Sequence, residues 1–431
     1  MVTGIVVVLI FIVIAALMIA KKLPTVLALP LMAILIGFAA GLPLKGEEGI
    51  LTNVIPQGAL KLSGTYVAIL FSCWLSRILY RTGVSATIIK KAAEFGGDKP
   101  FIVSLLLCAA SVFLFTVLYG TGAVAMVGAI VLPIMLSVGV PPLTACNAFL
   151  AAMTAGYVIN PANIAALTNI TGVAQSDLYL TAGILTAFSC VFCVGILWWG
   201  FRKKGKKYAF SAEISNDNDD EEIETVKGFR GFLACMTPVV VVLVMLIFKL
   251  DAIVVFMIGI LWLMLMTFKG NWSKYCSMIV QSCYEGFKEG APTVSLLFGI
   301  GMLISAMTAP TTQAAIQPFM EAITPTSAVA LILFVCLLSP GGLYRGPFNI
   351  MGLGAGLAVS MLAVNAVPVL ALSAAFYAAF RWPTQSCPTS TQVVWAANFV
   401  GYDPTTAAMK VFWPNWIVTA LSVIVVVLIY I

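Results

Sequence analysis

The chain of 431 residues is too apolar for a soluble globular protein, since 61% of its residues are apolar and 9% are charged, against about 25% charged in an average soluble domain. Its net charge of +6 lies mostly between apolar stretches, where basic residues report membrane orientation. We therefore expect a multi-pass protein in a lipid bilayer, with no nucleic-acid partner.

The sequence has no histidine and ten cysteines. The cysteines, from Cys73 to Cys387, are scattered singly, which indicates neither a metal cluster nor paired loop cysteines. Without histidine the chain lacks the commonest metal ligand and the side chain best suited to carry protons near neutral pH. No acid–base or metal constellation stands out, so we predict that the protein is not an enzyme and needs no cofactor.

The first half, residues 1–200, contains six apolar stretches, and a bilayer span needs about 20 residues. The first lacks a basic region before it and a cleavage site after it, which favours a span over a signal peptide. The fourth has double length and a glycine-rich middle, which predicts a re-entrant hairpin. The fifth is interrupted at Asn160-Pro161. The stretches are 4–20, 24–42, 59–80, 100–139, 143–175 and 178–200.

A charged segment separates the halves, and 201–231 is predicted to be a cytoplasmic linker because its acidic run is typical of solvated chain. The residues 84–95 are apolar on one side and predict a helix at the membrane interface. The second half, 232–431, repeats the order of the first. Its stretches are 232–249, 251–268, 289–309, 326–367, 369–401 and 406–431.

This shared order predicts an all-α polytopic membrane protein built as an inverted repeat of two five-span halves, each with a re-entrant hairpin and a broken helix. Sorting lysines and arginines to the cytoplasmic side places the linker inside and both termini outside. Counting each hairpin as two full spans gives the same parity, so charge does not distinguish these two layouts.

The four interruptions predict the substrate site, because glycine and proline free backbone groups that can face a ligand. Two arginines belong to this set, and an arginine at membrane depth costs at least about 2.5 kcal/mol without a partner. The predicted substrate-binding residues are Tyr119, Gly120, Thr121 and Gly122 in the first tip, Asn160 and Asn163 in the first broken helix, Tyr344, Arg345, Gly346 and Asn349 in the second tip, and Arg381, Thr384, Gln385, Ser386, Thr389, Ser390 and Thr391 in the second broken helix.

Arg345 and Arg381 indicate an anionic substrate, because no acidic residue is predicted well inside a span. Glu285 and Glu289 are predicted at the cytoplasmic mouth of the 289–309 span. A substrate carboxylate would supply the missing charge through paired hydrogen bonds to a guanidinium. The alternative is that either arginine reaches the interface or bonds backbone carbonyls.

Four predicted site residues could also bind a coupling cation through oxygen atoms, and these are Thr121, Asn160, Asn163 and Ser390. We therefore predict coupling to Na⁺, with H⁺ as the alternative if a protonated substrate or a loop carboxylate carries the proton.

These residues resemble the ion transporter superfamily, which includes citrate–metal/proton, gluconate and divalent anion/sodium symporters. The resemblance is carried by Gly64 to Gly83, by Leu118-Tyr119-Gly120-Thr121-Gly122 leading to Leu132-Pro133, and by Asn160-Pro161. It implies an elevator mechanism with substrate held between two tips and two unwound helices, a homodimer, and a bacterial inner membrane. The chain departs from divalent anion/sodium members, which carry Ser-Asn-Thr where this chain has Gly120-Thr121-Gly122 and Arg345-Gly346-Pro347.

We therefore predict a secondary active transporter of a small organic anion, such as a dicarboxylate, citrate or a hydroxy acid, that works by symport. An exporter or exchanger of an inorganic oxyanion on the same fold is the alternative. A channel is the third possibility. The polar helix breaks would occlude a pore, so they favour a carrier over a channel.

Overall fold

The computed structural model describes residues 2–20, 22–97, 99–202 and 225–431. Within these ranges the chain is helical and contains no strand, which confirms the predicted all-α class. Most of the predicted linker, 203–224, lies outside the described residues. The predicted helix over 84–95 is present, with Val84 and Ile89 buried and Lys90 and Lys91 exposed.

The first half forms ten α-helices in the described residues, several of which begin at a proline whose missing N–H has no partner to lose at a helix start. A short π-helical turn, Ile50–Val54, precedes the third. The helices are α1 (Val2–Ile19), α2 (Thr25–Ala39), α3 (Pro56–Leu60), α4 (Ser63–Arg81), α5 (Val84–Gly96), α6 (Pro100–Phe115), α7 (Thr121–Ser137), α8 (Pro142–Ile159), α9 (Pro161–Thr171) and α10 (Gln175–Arg202).

In the second half two shorter helices joined by a turn again precede a helix with a break. A 3₁₀ segment, Ser339–Arg345, lies at the hairpin turn. The helices are α11 (Gly228–Cys235), α12 (Thr237–Phe248), α13 (Ala252–Thr267), α14 (Trp272–Thr308), α15 (Pro310–Ile323), α16 (Ala328–Leu338), α17 (Gly354–Val364), α18 (Val369–Ser386), α19 (Thr391–Phe399), α20 (Pro404–Lys410) and α21 (Phe412–Tyr430).

Seven helical segments of the described chain are long and apolar enough to cross a bilayer, or eight if α11 and α12, bent by 49°, form one span. Shorter apolar helices include α2, α13 and the hairpin arms α6, α7 and α17. The protein is therefore a multi-pass membrane protein, as predicted.

One predicted span is part of a longer helix. The span predicted over 289–309 is the C-terminal part of the 37-residue helix α14, which begins at Trp272. Glu285 and Glu289, which the sequence predicts at the mouth of this span, form ion pairs with Arg77 and Arg81 of α4. Paired charges are tolerated within a helix bundle. Glu289 therefore lies in the middle of a helix, and its side chain is only 11% exposed.

The packing places the hairpin turns and helix breaks between two groups of helices. α14 packs along α4 and α2, and α4 also contacts α9. α8 packs between α6 and α10, and α18 packs on α21. Glycines bring α14 close to its neighbours, since a Cβ on Gly286 would lie 2.8 Å from the Cys73 carbonyl of α4 and one on Gly301 would overlap the Gly58 carbonyl of α3.

Candidate functional site

The first tip is the turn between α6 and α7, and α4 holds it by three side chains. Ser72 Oγ donates to the Val117 carbonyl at 2.6 Å, and the Tyr119 N–H donates to Ser76 Oγ at 3.1 Å. Cys73 Sγ lies 3.5 Å from the Tyr119 carbonyl oxygen. Gly120 then turns the chain into α7 with φ +90° and ψ 165°, a conformation that other residues rarely adopt.

The first helix break, at Asn160, fixes this tip from the other side. Asn160 Oδ1 accepts a hydrogen bond from the Ala162 N–H at 3.0 Å and so caps α9. Its Nδ2 donates to the carbonyls of Phe115 and Leu118 at 3.3 and 3.2 Å. The side chain is fully buried and its contacts are with backbone. Asn160 thus joins the broken helix to the first tip.

The second tip forms around two consecutive residues with left-handed backbone, Tyr344 at φ +55° and Arg345 at φ +59°. Arg345 Nη1 donates to the Met351 carbonyl at 3.1 Å, and the Leu353 N–H donates to the Arg345 carbonyl at 3.1 Å. The Tyr344 N–H lies 3.2 Å from Cys387 Sγ. The tip is therefore closed on itself and attached to the second helix break.

Both tips and both breaks meet at one cavity, whose empty space is about 840 Å³ when the open solvent at its mouth is included. α4 and α14 complete its wall with Ile69, Thr293, Leu296 and Leu297. The Tyr119 and Tyr157 rings stack beside it with centroids 5.4 Å apart. Of the predicted site residues, those that line it are Tyr119, Gly120, Thr121, Asn163, Arg345, Asn349, Thr384, Thr389, Ser390 and Thr391.

Seven predicted site residues lie elsewhere. Gly122 faces Glu289, Asn160 bonds backbone, and Gly346 packs against the Gly341 carbonyl. Tyr344 is part of the turn. The remaining three, Arg381, Gln385 and Ser386, also belong to α18 but are buried outside the cavity lining.

Arg381 is bound by α21. Its Nη2 donates to Asn415 Oδ1 and to Thr419 Oγ1, both at 2.8 Å, and Asn415 Nδ2 donates to Ser386 Oγ at 2.7 Å. The guanidinium therefore links two helices. Its Nη2 also lies 3.2 Å from the Asn415 backbone carbonyl, a bond of the kind that the alternative predicted.

Arg345 is the charged residue of the cavity. Among the lining residues of the described chain it alone carries a formal charge, and it belongs to none of the ion pairs found there. Sequence reasoning missed Ser72, Ser76, Tyr157 and Thr293. Serines four residues apart in the apolar helix α4 were the one available signal for the first two.

Comparison with known proteins agrees with this architecture. A family model described as GntP family permease matches residues 1–252, more than half of the chain. No curated protein matches this chain. The crystal structure of the YdaH transporter of Alcanivorax borkumensis is similar in fold, with a TM-score of 0.61 and 14% identity over 96% of this chain and 97% of that chain. The chain belongs to the GntP family of permeases, and it is a secondary transporter rather than an enzyme.

Proposed function

We propose that the protein is a symporter of a small organic anion, such as a dicarboxylate, citrate or a hydroxy acid. The observation that carries this proposal is Arg345, whose charge faces a cavity lined otherwise by hydroxyl, amide, aromatic and apolar groups. A carboxylate in the cavity would neutralise it through charge-assisted hydrogen bonds.

The rest of the cavity suits the remainder of such an anion. Thr384, Thr389 and Ser390 supply hydroxyls, Asn163 and Asn349 supply amides, and the Tyr119–Tyr157 stack supplies an apolar wall. A hydroxy acid or dicarboxylate has polar groups to satisfy on more than one side. The mixture of partners around Arg345 supports that class over a simple halide.

For transport we propose an elevator mechanism on an inverted repeat, as in the ion transporter superfamily. The order of elements supports it, because a hairpin and a broken helix follow α4 in one half and α14 in the other. We also propose a homodimer in a bacterial inner membrane, with both termini outside and the 201–231 segment inside. The homodimer and the membrane rest on analogy with elevator carriers, and the orientation rests on charge sorting.

The coupling ion is Na⁺ or H⁺ in this proposal. Thr121, Asn163 and Ser390 line the cavity and offer oxygens for Na⁺. Asn160 contributes its oxygen to the α9 cap instead. Accumulation in proteoliposomes that needs inward Na⁺ at constant pH would support Na⁺, and accumulation that follows only a pH gradient would reject it.

The decisive experiment compares the anion response of purified wild-type protein with that of Arg345→Lys and Arg345→Ala. Thermal stabilisation is screened with succinate, citrate, gluconate, sulfate and phosphate, because a ligand stabilises the state that it binds. We expect a carboxylate to stabilise the wild type, Arg345→Lys to bind it more weakly, and Arg345→Ala to lose a factor of about thirty or more in affinity, corresponding to about 2 kcal/mol or more.

The matched control is Arg230→Ala, because Arg230 is an exposed arginine outside the cavity. It should bind the anion as the wild type does. Wild-type affinity in Arg345→Ala would overturn the assignment. Stabilisation by sulfate or phosphate alone would favour transport of an inorganic oxyanion.

A further inference from the structure

A ladder of four charged side chains leads from the surface to the first tip. Arg81 Nη2 lies 2.5 Å from Glu285 Oε1, Arg77 Nη1 lies 3.7 Å from Glu285 Oε2, and Arg77 Nη2 bonds Glu289 Oε1. Side-chain exposure falls from 30% at Glu285 to 11% at Glu289. The ladder therefore ends on a largely buried carboxylate.

That carboxylate touches the first tip. A Cβ on Gly122 would overlap the Glu289 carboxylate, so the acid lies against the first turn of α7, where the positive end of the helix dipole favours an anion. Glu289 Oε2 is buried without a hydrogen-bond partner. Thr293, one turn further along α14, lines the cavity. Glu289 thus connects the ladder, the tip and the substrate cavity.

We propose that Glu289 is the group that binds the coupling proton, with Arg77 as its counter-charge. This inference rests on the proposed function and selects H⁺ from its two coupling ions. A proton added to Oε2 converts the carboxylate to a neutral acid without any other change in bonding. The ladder then carries one net positive charge, because Glu285 alone is left to balance Arg77 and Arg81, and the first turn of α7 loses its anion.

Proton and substrate anion then favour each other's binding. This net positive charge attracts an anion in the cavity, and an anion in the cavity disfavours the charged form of Glu289. Such coupling is reciprocal. For two unit charges about 10 Å apart at an effective dielectric constant of about 20, each raises the other's affinity roughly tenfold.

Other ionisable groups near Glu289 are few. α4 contributes Cys73, Arg77 and Arg81, α14 contributes Glu285 and the exposed Lys288, and the tip contributes Tyr119. The neighbouring helices α2, α3, α9, α13 and α17 carry no ionisable residue. On α5, Lys91 pairs with Glu94 and Lys90 is exposed, while Glu321 of α15 bonds Gln317. Arg77 is thus the direct counter-charge of Glu289.

The test measures deuterium exchange of the backbone over residues 116–125 in the purified full chain, from alkaline to mildly acidic pH and corrected for intrinsic rates. We expect protection of the wild-type tip to fall several-fold as the pH is lowered. Glu289→Gln, which resembles the protonated acid, should show the low protection at every pH. Glu289→Asp, which keeps a carboxyl group, should retain a pH response.

Glu321→Gln is the control, because Glu321 is an exposed carboxylate on α15 outside the ladder, and it should respond to pH as the wild type does. The proposal is overturned if protection of the tip in Glu289→Gln depends on pH as it does in the wild type. It is also overturned if protection of the wild-type tip does not depend on pH. Thermal melting of each variant shows whether it is folded, and if Glu289→Gln does not fold, the response of Glu289→Asp decides.

The exchange experiment needs no substrate, so its result is independent of the proposed anion. In proteoliposomes, uptake of succinate, citrate or gluconate by Glu289→Gln should lose its response to a pH gradient while exchange of internal for external anion continues. Failure of the wild type to carry any of these anions counts against the proposed function, and the tip's response to pH still decides the role of Glu289.

Discussion

Replacing Asn160 by alanine should destabilise the protein more than replacing Asn163, although both asparagines flank the same helix break. Asn160 makes three hydrogen bonds to backbone, with Ala162, Phe115 and Leu118. Asn163 Nδ2 makes one, to the Tyr157 carbonyl at 2.7 Å.

The magnitude follows from these bonds. Loss of a helix N-cap costs about 1 kcal/mol, and each polar contact between membrane helices contributes about 0.6 kcal/mol on average. Asn160→Ala should therefore lower the free energy of unfolding by about 2 kcal/mol. Asn163→Ala removes a single contact, so about 0.6 kcal/mol is expected.

The assay is reversible unfolding of the purified protein in mixed micelles with increasing denaturing detergent, followed by anion titration of each folded variant. Asn160→Ala should unfold at a lower detergent fraction. Asn163→Ala should unfold near the wild-type midpoint but bind the anion more weakly, because its side chain lines the cavity. This division of roles would be refuted if the unfolding midpoint of Asn160→Ala equalled that of the wild type or that of Asn163→Ala.

Three further expectations concern the bundle and its orientation. Gly156→Ala places a Cβ 2.5 Å from the Val112 carbonyl oxygen and 2.7 Å from Phe115 Cβ, so it should lower the free energy of unfolding by about 1 to 3 kcal/mol. Gly183→Ala, with open space around it, should not lower it. Equal melting temperatures of the two variants would contradict this. Arg381→Lys should lower the melting temperature through lost bonds to α21 and leave anion affinity unchanged, and a selective loss of affinity would return Arg381 to the substrate site. In a background without reactive cysteines, Glu47→Cys should react with an impermeant reagent added outside intact cells, and labelling from the inside alone would invert the proposed topology.

The positions of the hairpin turns and helix breaks could be predicted because local chemistry determines them. Gly120 and Pro161 each disfavour an uninterrupted helix on local grounds, through the conformational freedom of glycine and the missing N–H of proline. Arg345 could be placed near a site for a similar reason, since its charge lies at a turn in the middle of an apolar stretch and needs a partner.

The direction in which each side chain points could not be predicted in the same way. Arg381 and Thr384 are three residues apart on α18, and only the position of α21 decides that the arginine faces a neighbouring helix while the threonine faces the cavity. The sequence alone predicts Glu289 at the cytoplasmic mouth of a span. Its partner, Arg77, is 212 residues away in the chain, so the pairing is a property of the fold.

The two tips differ in how their backbone turns, and this has a consequence for the empty transporter. The first turns on glycine, which adopts positive φ without penalty. The second turns on Tyr344 and Arg345, and left-handed backbone costs residues with a side chain about 1 kcal/mol each. The second tip therefore holds backbone strain, and its contacts with Met351 and Cys387 keep it in this conformation. A carboxylate on Arg345 would add to that hold, so the tip should relax more readily when the cavity is empty than when it is filled.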